Sequence, residues 1–274
     1  MTLQNKIDFA VVLRVENANP NGDPLNGNRP RTDYEGFGEI TDVAIKRKIR
    51  DRLIEKGETI FVQSDDRKVD DATSLKDRAD KALGEKLTED GAAELACETW
   101  FDVRTFGQVL AFKGKKKGDG VSIAIRGPMS VHSAFSVEPV TITSTQITKS
   151  VSGEDTASGK KASDTMGMKH RVDKGIYVFY GSMNPQLAVK TGFSDEDAET
   201  IKQILPKMLE NDTSSARPDG SMEVLKVIWW QHNSKGGQYS SSKVHQTLRD
   251  TIQDDGSFEL LTLDGLKPEV IDGF

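Results

Sequence analysis

The sequence predicts an α+β fold with a ferredoxin-like order of elements, and three observations carry that reading. Strand-like alternation over Ile7–Val15 is followed by a long cationic helix. Much later come the apolar run Ile176–Tyr180, a helix opened by Ser194 and the near-continuous apolar run Val224–Trp230. Two stretches between them, 58–102 and 138–170, read as insertions. Without them the order is βαββαβ, the split βαβ of ferredoxin-like and RNA-recognition (RRM-like) folds, with helices on one sheet face and the other left for ligands or insertions.

Each element has a local reason. Ile7, Phe9, Val11, Leu13 and Val15 alternate with Asp8, Ala10, Val12 and Arg14, which predicts a half-buried strand. A loop over 16–38 is rich in Asn, Gly, Pro and Arg. In the helix at about 40–56, Ile45, Ile49 and Leu53 form one stripe; Lys46, Arg47 and Arg50 fall to one side of it and Lys48 and Arg52 to the other. Asp65–Asp71 is a polar break, and 72–101 reads as helical, ending near Trp100 and Phe101. Lys113–Gly120 is a basic loop; Val121, Ile123 and Ile125 predict a strand that runs on through Gly127-Pro128 to Val131 as an edge or bulged strand. Val140–Thr143 is β-like, whereas Ser150–Lys161 is too polar to pack and predicts the tip of a protruding hairpin. Ser194 caps a helix carrying Ala198, Ile201, Leu205, Met208 and Leu209, and Pro206 should kink it. After Gly236-Gly237 the pattern is weak.

The chain of 274 residues is 35% apolar and 29% charged, enough for a core with much solvated or partner-facing surface. It has no run of 18 apolar residues, no apolar leader at its start, and one cysteine, Cys97, so a cytoplasmic protein without membrane contact is expected. The net charge of −6 is unevenly placed. Residues 58–102 hold 13 acidic and 6 basic side chains and residues 192–274 hold 15 and 8, whereas 103–191 hold 6 and 13. A basic middle between acidic segments is compatible with a focused polyanion site.

The loop Val15–Pro24 is rich in Asn, Gly and Pro, and such a loop exposes backbone N–H groups beside the cationic helix. This suits a phosphate chain, the alternative being an ordinary surface turn. Asn17, Asn19, Asn21 and Gly22 match part of an EF-hand loop, but its twelfth position is Asn28 rather than Glu, so no calcium site is assigned. Lys174-Gly175 with Tyr177 and Phe179 falls out of register with an RNP1 motif and reads as core. Lys113–Gly120 lacks the Gly-Lys-Ser/Thr of a P-loop. No HExxH, CxxC or Ser/His/Asp order occurs, and nothing marks out Asp23, Asp33 or Asp102 for acid–base work; no catalytic residue, metal ligand or cofactor is expected. Met166–Arg171 combines thioethers able to wedge against bases with Lys169, His170 and Arg171, able to meet phosphates; the alternative is a hairpin base packed on the core.

Asn19–Pro24, Asp102–Gly107, Arg126–Pro128, Ser136–Pro139, Gln146–Lys149, Met166-Gly167, Lys169-His170 and Lys190–Phe193 occur together in this order. In these segments the chain resembles, over nearly its whole length, the backbone subunit of type I-C CRISPR Cascade, the Cas-seven family (Csd-two subgroup). The resemblance implies an RRM-like palm over 1–57, 103–137 and 171–274, an inserted finger over 58–102 and a thumb hairpin over 138–170. It implies copies stacked in a helical filament along one CRISPR RNA, with the thumb kinking the RNA and spacer bases left to pair with target DNA. Expected partners are the CRISPR RNA, target DNA through the guide, further copies of the chain, and the small, large and RNA-processing subunits of Cascade. Carried over by position, the RNA-binding residues are Asn19, Asn21, Arg29 and Arg31 of the loop, and Lys46, Arg47 and Arg50 of the helix. They continue with Arg104, Phe106 and Gln108, then Gln146, Met166, Lys169, His170 and Arg171. The chain departs from the family's pattern at Met168, where a basic residue is common, and at Asp173, near a usual proline. Two other readings stand beside this one: a metal-dependent RNase of the related type III backbone kind, cutting with Asp23 or Asp33, and an unrelated α+β interaction protein.

Overall fold

The computed structural model describes residues 1–84, 91–112, 121–148 and 166–274. The basic loop 113–120 and the polar hairpin tip 150–161 lie outside the described residues. The first part contains β1 (Ile7–Ala18), β2 (Gly22–Asp23), β3 (Arg29–Pro30), β4 (Phe37–Ile40) and α1 (Asp42–Glu55). Then follow α2 (Leu75–Leu83), α3 (Ala92–Thr99), α4 (Phe101–Phe106), β5 (Gly107–Phe112), β6 (Val121–Arg126), β7 (Met129–Val131), β8 (Ala134–Pro139) and β9 (Ile142–Thr148). The last part contains β10 (Met166–Met183), α5 (Pro185–Thr191), α6 (Asp195–Ile204), β11 (Met222–Gln231), α7 (Ser241–Arg249) and β12 (Glu269–Asp272).

A large antiparallel sheet has the order β12-β11-β1-β10-β8-β4, with β7 and β9 also paired to β10. The spine is β10, whose 18 residues pair with β1 from Val172 to Met183. On its other side it meets β9, β8 and β7 in turn. One sheet face carries Phe9, Val11, Leu13, Tyr177, Phe179, Val227 and Trp229 against α1, α5 and α6. Phe9 stacks on Trp229 with ring centroids 5.7 Å apart. Gly181 is required there, because a Cβ on it would stand 2.1 Å from the Phe9 ring. Ser194 caps α6 as expected, in a capping box with Asp197, but the helix does not continue through a kink at Pro206: it ends at Ile204 and gives way to a 3-10 turn, Leu205–Lys207.

Three expectations are corrected. First, β1 is buried on both faces rather than one: Ala10, Val12, Ile176, Val178, Tyr180, Ile228 and Trp230 form a second core under α7 and the segment up to Leu266. The weakly patterned C-terminal stretch thus covers the face expected to be open. Second, 121–131 is not one strand. β6 pairs with β5 in a separate two-stranded sheet, while β7 joins the main sheet. Gly127 causes the break: a Cβ there would fall within 2.3–2.4 Å of the backbone at Thr105–Gly107, so the chain turns where only glycine fits. Third, 72–101 divides into α2 and α3, and helix resumes at Phe101 as α4. Phe61, Leu83, Cys97, Trp100, Val103 and Leu110 form a third cluster, with Ile123 and Ile125 packed on it.

Asp102 joins this third cluster to the main core. It is 1% exposed, and its Oδ1 accepts the Phe61 N–H at 2.7 Å. Its Oδ2 accepts the Val62 N–H at 3.1 Å and Arg50 Nε–H at 2.8 Å. Removing the carboxylate leaves a largely covered guanidinium and two N–H groups without their acceptor. Asp102→Ala is therefore expected to cost about 3–5 kcal/mol, read as a lower urea midpoint in equilibrium unfolding.

Under α7 lies a buried polar group of Asp8, Lys6, His232 and His245. His232 Nδ1 accepts the Gln238 N–H at 2.9 Å, which leaves its Nε2–H to donate to Asp8 Oδ2 at 2.9 Å. Burial works against the Asp8 carboxylate, but hydrogen bonds from His232 and Lys6 hold its pKa below the usual value. His245 Nε2–H donates to the Gly181 carbonyl at 3.1 Å. Burial pushes the His245 pKa down from 6.5 to about 4, so the folded protein keeps it neutral while the unfolded chain takes up a proton. That stabilisation is complete above the unfolded pKa and is lost as pH falls towards 4, by on the order of 3 kcal/mol. The melting temperature should fall across this window, with a shallower fall in His245→Gln; parallel profiles would contradict the assignment.

Candidate nucleic-acid interface

The Asn loop closes on itself. Asn17 takes a left-handed conformation (φ 55°), which asparagine tolerates. The Asn19 N–H donates to the Ala216 carbonyl at 2.8 Å, and its side-chain amide donates to the Asn28 carbonyl at 2.6 Å. The buried Asn19 Oδ1 has no hydrogen-bond partner among the described residues. Asn21 Oδ1 accepts both the Thr41 N–H and the Thr41 hydroxyl at 3.0 Å. Thr41 in turn caps α1 by accepting the Ala44 N–H, so Asn21 splices the loop to the start of the helix. The N–H groups of Leu25, Asn28 and Arg31 are also used within the loop. The turn Pro24–Asn28 is the exposed part of the loop, and the return strand β3 carries the partly exposed Arg29, with Arg31 just beyond it. Arg31 pairs with Asp23 at 3.4 Å, whereas Arg29 Nη1 donates across to Ser144 Oγ on β9 at 2.8 Å.

Ser144 also meets His170 Nδ1 at 2.8 Å. The loop and the β9–β10 ribbon therefore converge at one hydroxyl, which the sequence reading did not single out; a serine in a polar strand carries no signal without the register. In that register Met166 faces Thr148, Met168 faces Gln146 and His170 faces Ser144. Directly opposed residues share a face, so Met166, Met168, Gln146, His170 and Arg29 gather on one side. Met166 and Met168 are 68% and 55% exposed, and Gln146 Nε2 lies 3.0 Å from the Met166 sulfur. Lys169 and Arg171 project from the opposite side, beside Thr145 and Thr143. Arg171 lies 3.6 Å from Asp173. The block 166–171, read in sequence as one cluster, is thus divided by the pleat.

The cations of α1 are largely engaged. Lys48 is buried against Asp212, Arg50 against Asp102, and Arg52 pairs with Glu55. Lys46 pairs with Asp42 at 2.9 Å, and Arg47 lies 3.5 Å from Asp66. Of the expected contacts on this helix, Lys46 and Arg47 are surface pairs that exchange readily, whereas Arg50 is locked in the fold. Phe106, half-buried, lies under both Lys46 (5.9 Å from its centroid) and Arg50 (5.1 Å). Arg104 forms a two-point pair with Asp197 at 2.8 and 3.1 Å and covers the Phe101 ring. Gln108 sits on β5, its amide on the Val109 carbonyl at 3.2 Å. Lys46, Arg50 and Phe106 form one group and the loop with the ribbon another; Arg104 and Gln108 join neither.

The two aspartates considered for metal-dependent cleavage are turn residues. Asp23 Oδ1 accepts the Leu25 N–H at 3.2 Å, and Asp33 Oδ1 accepts those of Glu35 and Phe37 at 3.0 and 2.9 Å. Among the described residues no cluster of three His, Cys, Asp or Glu side chains is placed to hold a metal ion. Nor is any described helix long and apolar enough to cross a membrane.

The family model for CRISPR-associated protein Cas7 matches residues 5–259. The CRISPR-associated protein Cas7 of Haloferax volcanii (strain DS2) is 28% identical over 252 residues, which cover 83% of this chain and 71% of that protein. Among solved structures, a chain of a CRISPR RNA-guided surveillance complex, pre-nicking, is 12% identical with a TM-score of 0.45, over 82% of this chain and 78% of that one. A chain of the type III-B Cmr-beta bound to cognate target RNA is 11% identical with a TM-score of 0.43, over 81% and 60%. With nearly its whole length matched by the family model, the chain belongs to the Cas7 family of CRISPR-associated proteins.

Proposed function

We propose that this chain is a non-catalytic, guide-RNA-binding backbone subunit of a cytoplasmic type I-C Cascade. Copies would line up along one CRISPR RNA, leave its spacer bases to pair with target DNA, and meet the small, large and RNA-processing subunits. The observation that carries this reading is the ribbon where Arg29 and His170 meet at Ser144 beside two exposed thioethers. Such a surface supplies phosphate-binding donors and apolar wedges, the mixture that holds a single strand without reading its bases. The sheet order β11-β1-β10-β8 supports an RRM-like palm, and the β9–β10 ribbon supports a thumb over 138–170. The third cluster supports a finger begun at 58 that takes in the β5–β6 hairpin. The type I-C assignment rests on the motif set from Asn19–Pro24 to Lys190–Phe193. The turn roles of Asp23 and Asp33 favour a scaffold over a nuclease.

Among the expected RNA contacts the geometry favours Arg29, Lys46, Arg47, Gln146, Met166, Lys169, His170 and Arg171 as direct ones. Asn19, Asn21, Arg31, Arg50, Arg104, Phe106 and Gln108 then act by shaping the surface.

Light scattering of the purified protein with CRISPR RNAs of increasing length, with RNA integrity read on a gel, tests assembly. Multimers that grow with RNA length on intact RNA are expected; shortened RNA, or a mass indifferent to RNA, overturns the proposal. RNA affinity should also fall steeply with salt. Lys169→Gln and Lys46→Gln should each flatten the log–log slope by about 0.7, the value for one phosphate left without its cation. A salt-independent affinity contradicts backbone binding. Arg50→Glu is uninformative here, since it sets two carboxylates together at Asp102.

A further inference from the structure

The second sheet face is covered by α7 together with residues as far as Leu266, and a cavity opens beside that cover. Between β8, β10 and the end of α7 lies a cavity of about 410 Å³. Its floor is formed by Val178 and Phe135, directly opposed in the β8–β10 ladder, with Val137 beside them. Tyr180 and Ile252 wall it. Phe135 is 45% exposed, whereas Tyr177, Phe179 and Tyr180 on the neighbouring strand are buried. An aromatic ring presented on a sheet face is a stacking platform without an occupant in the fold.

The polar groups at the rim are Arg249, His132 and two serines. Arg249 holds its guanidinium 5.1 Å from the Tyr180 ring centroid and makes no ion pair among the described residues. His132 stands edge-on to His245 at 5.9 Å, and Ser133 adds a hydroxyl. Among the described residues no carboxylate lines the cavity; Asp250, next to Arg249 in the chain, is exposed and outside the lining, though its charge acts on the Tyr180 hydroxyl. An apolar floor with an exposed aromatic, beside a planar cation that touches Tyr180 but has no carboxylate partner among the described residues, matches a ligand with a flat aromatic body and an anionic end. The volume falls in the range of small-molecule sites, about 300–1,000 Å³.

We propose that this cavity binds a single nucleotide, its base stacked on Phe135 and its phosphate held by Arg249 with His132 beside it. No residue of the ribbon, the Asn loop or α1 lines it, so the site goes beyond the guide-binding reading and stands independently of it. The nucleotide is either free in solution or turned out of a single strand.

Calorimetric titration of the full chain with 5′-AMP, adenosine and hexa-adenylate tests this. AMP should bind at one site, more tightly than adenosine. Phe135→Ala should weaken AMP binding by about tenfold, the scale of one base–aromatic stack. Arg249→Gln should bring AMP down to the level of adenosine and leave adenosine unchanged. Both side chains are surface-exposed, so the fold should survive, checked by an unchanged melting temperature. If a strand supplies the base, Phe135→Ala also weakens hexa-adenylate; if free nucleotide is the ligand, hexa-adenylate is indifferent to it. Either result supports the site once AMP binding depends on Phe135. No heat with AMP at millimolar concentration, binding that survives both substitutions, or tighter Phe135-dependent capture of the dipeptide Glu-Phe would overturn it. Guide-driven assembly of Phe135→Ala should match the parent; failure of assembly in both, with AMP binding intact, removes only the guide-binding reading.

Discussion

One strand shared between the core and the ribbon governs the geometry of the candidate interface. β10 is held to β1 over Val172–Met183, and residues 166–171 outrun that pairing, with β9 as their paired strand among the described residues. At about 3.3 Å per residue this extension reaches roughly 20 Å. Deep in the sheet the same strand is gripped on both faces, by Tyr177 and Phe179 on one and Ile176 and Val178 on the other. The direction of the ribbon is therefore set by core packing, and the Arg29–Ser144 bond ties the Asn loop to a ribbon already aimed. The alternation of Met166, Met168 and His170 against Lys169 and Arg171 follows from the same strand, because a one-residue slip against β9 would exchange the two faces.

A second constraint explains how a helix with five cations can be mostly structural. Lys48 and Arg52 are buried and Arg50 is largely covered, and each has a carboxylate. Unpaired, any of them would carry a large desolvation cost; paired, they fix which surfaces α1 may touch. Arg50–Asp102 orients α1 towards Phe61 and α4, and Lys48–Asp212 orients it towards the loop before β11. The helix is thereby held at both flanks while Lys46 and Arg47 remain at the surface. Positive sequence charge is thus a poor guide to positive potential here, since Asp42 and Glu55 of the helix itself and Asp66, Asp102 and Asp212 from other segments all pair with its cations.

Where the reading succeeded and failed follows from how local each signal is. The core strands Ile7–Val15 and Val224–Trp230 and the helix about Ile45–Leu53 were legible because periodicity is local. So was the Ser194 cap, whereas Pro206, read as a kink, stands where the helix has already ended. The burial of β1's second face was not, because α7 has only Val244 and Leu248 as large apolar contacts and its cover is completed by scattered residues as far as Leu266. The split of 121–131 was not legible either: Gly127-Pro128 is compatible with a bulge, and only the approach of the Thr105–Gly107 backbone excludes a continuous strand. At the site, residue types in 166–171 were legible, but their sorting onto two faces needs the pairing with β9. The roles of Arg50 and Arg104 were hidden because Asp102 and Asp197 lie 52 and 93 positions away.

The two-faced ribbon also constrains any polymer that uses it. Two strands lie about 4.8 Å apart, so the ribbon is narrow, and its faces differ in chemistry. One face offers thioethers with the Arg29–Ser144–His170 group; the other offers Lys169 and Arg171 among threonines. A straight nucleic-acid strand lying on one face cannot reach the cations of the other. A strand that met both would have to change direction at the ribbon, and the exposed Met166 and Met168 would then stand where its bases part. On the proposed function, a kink at this point would follow from strand pleat and from a ribbon two strands wide, and would require no base-specific contact.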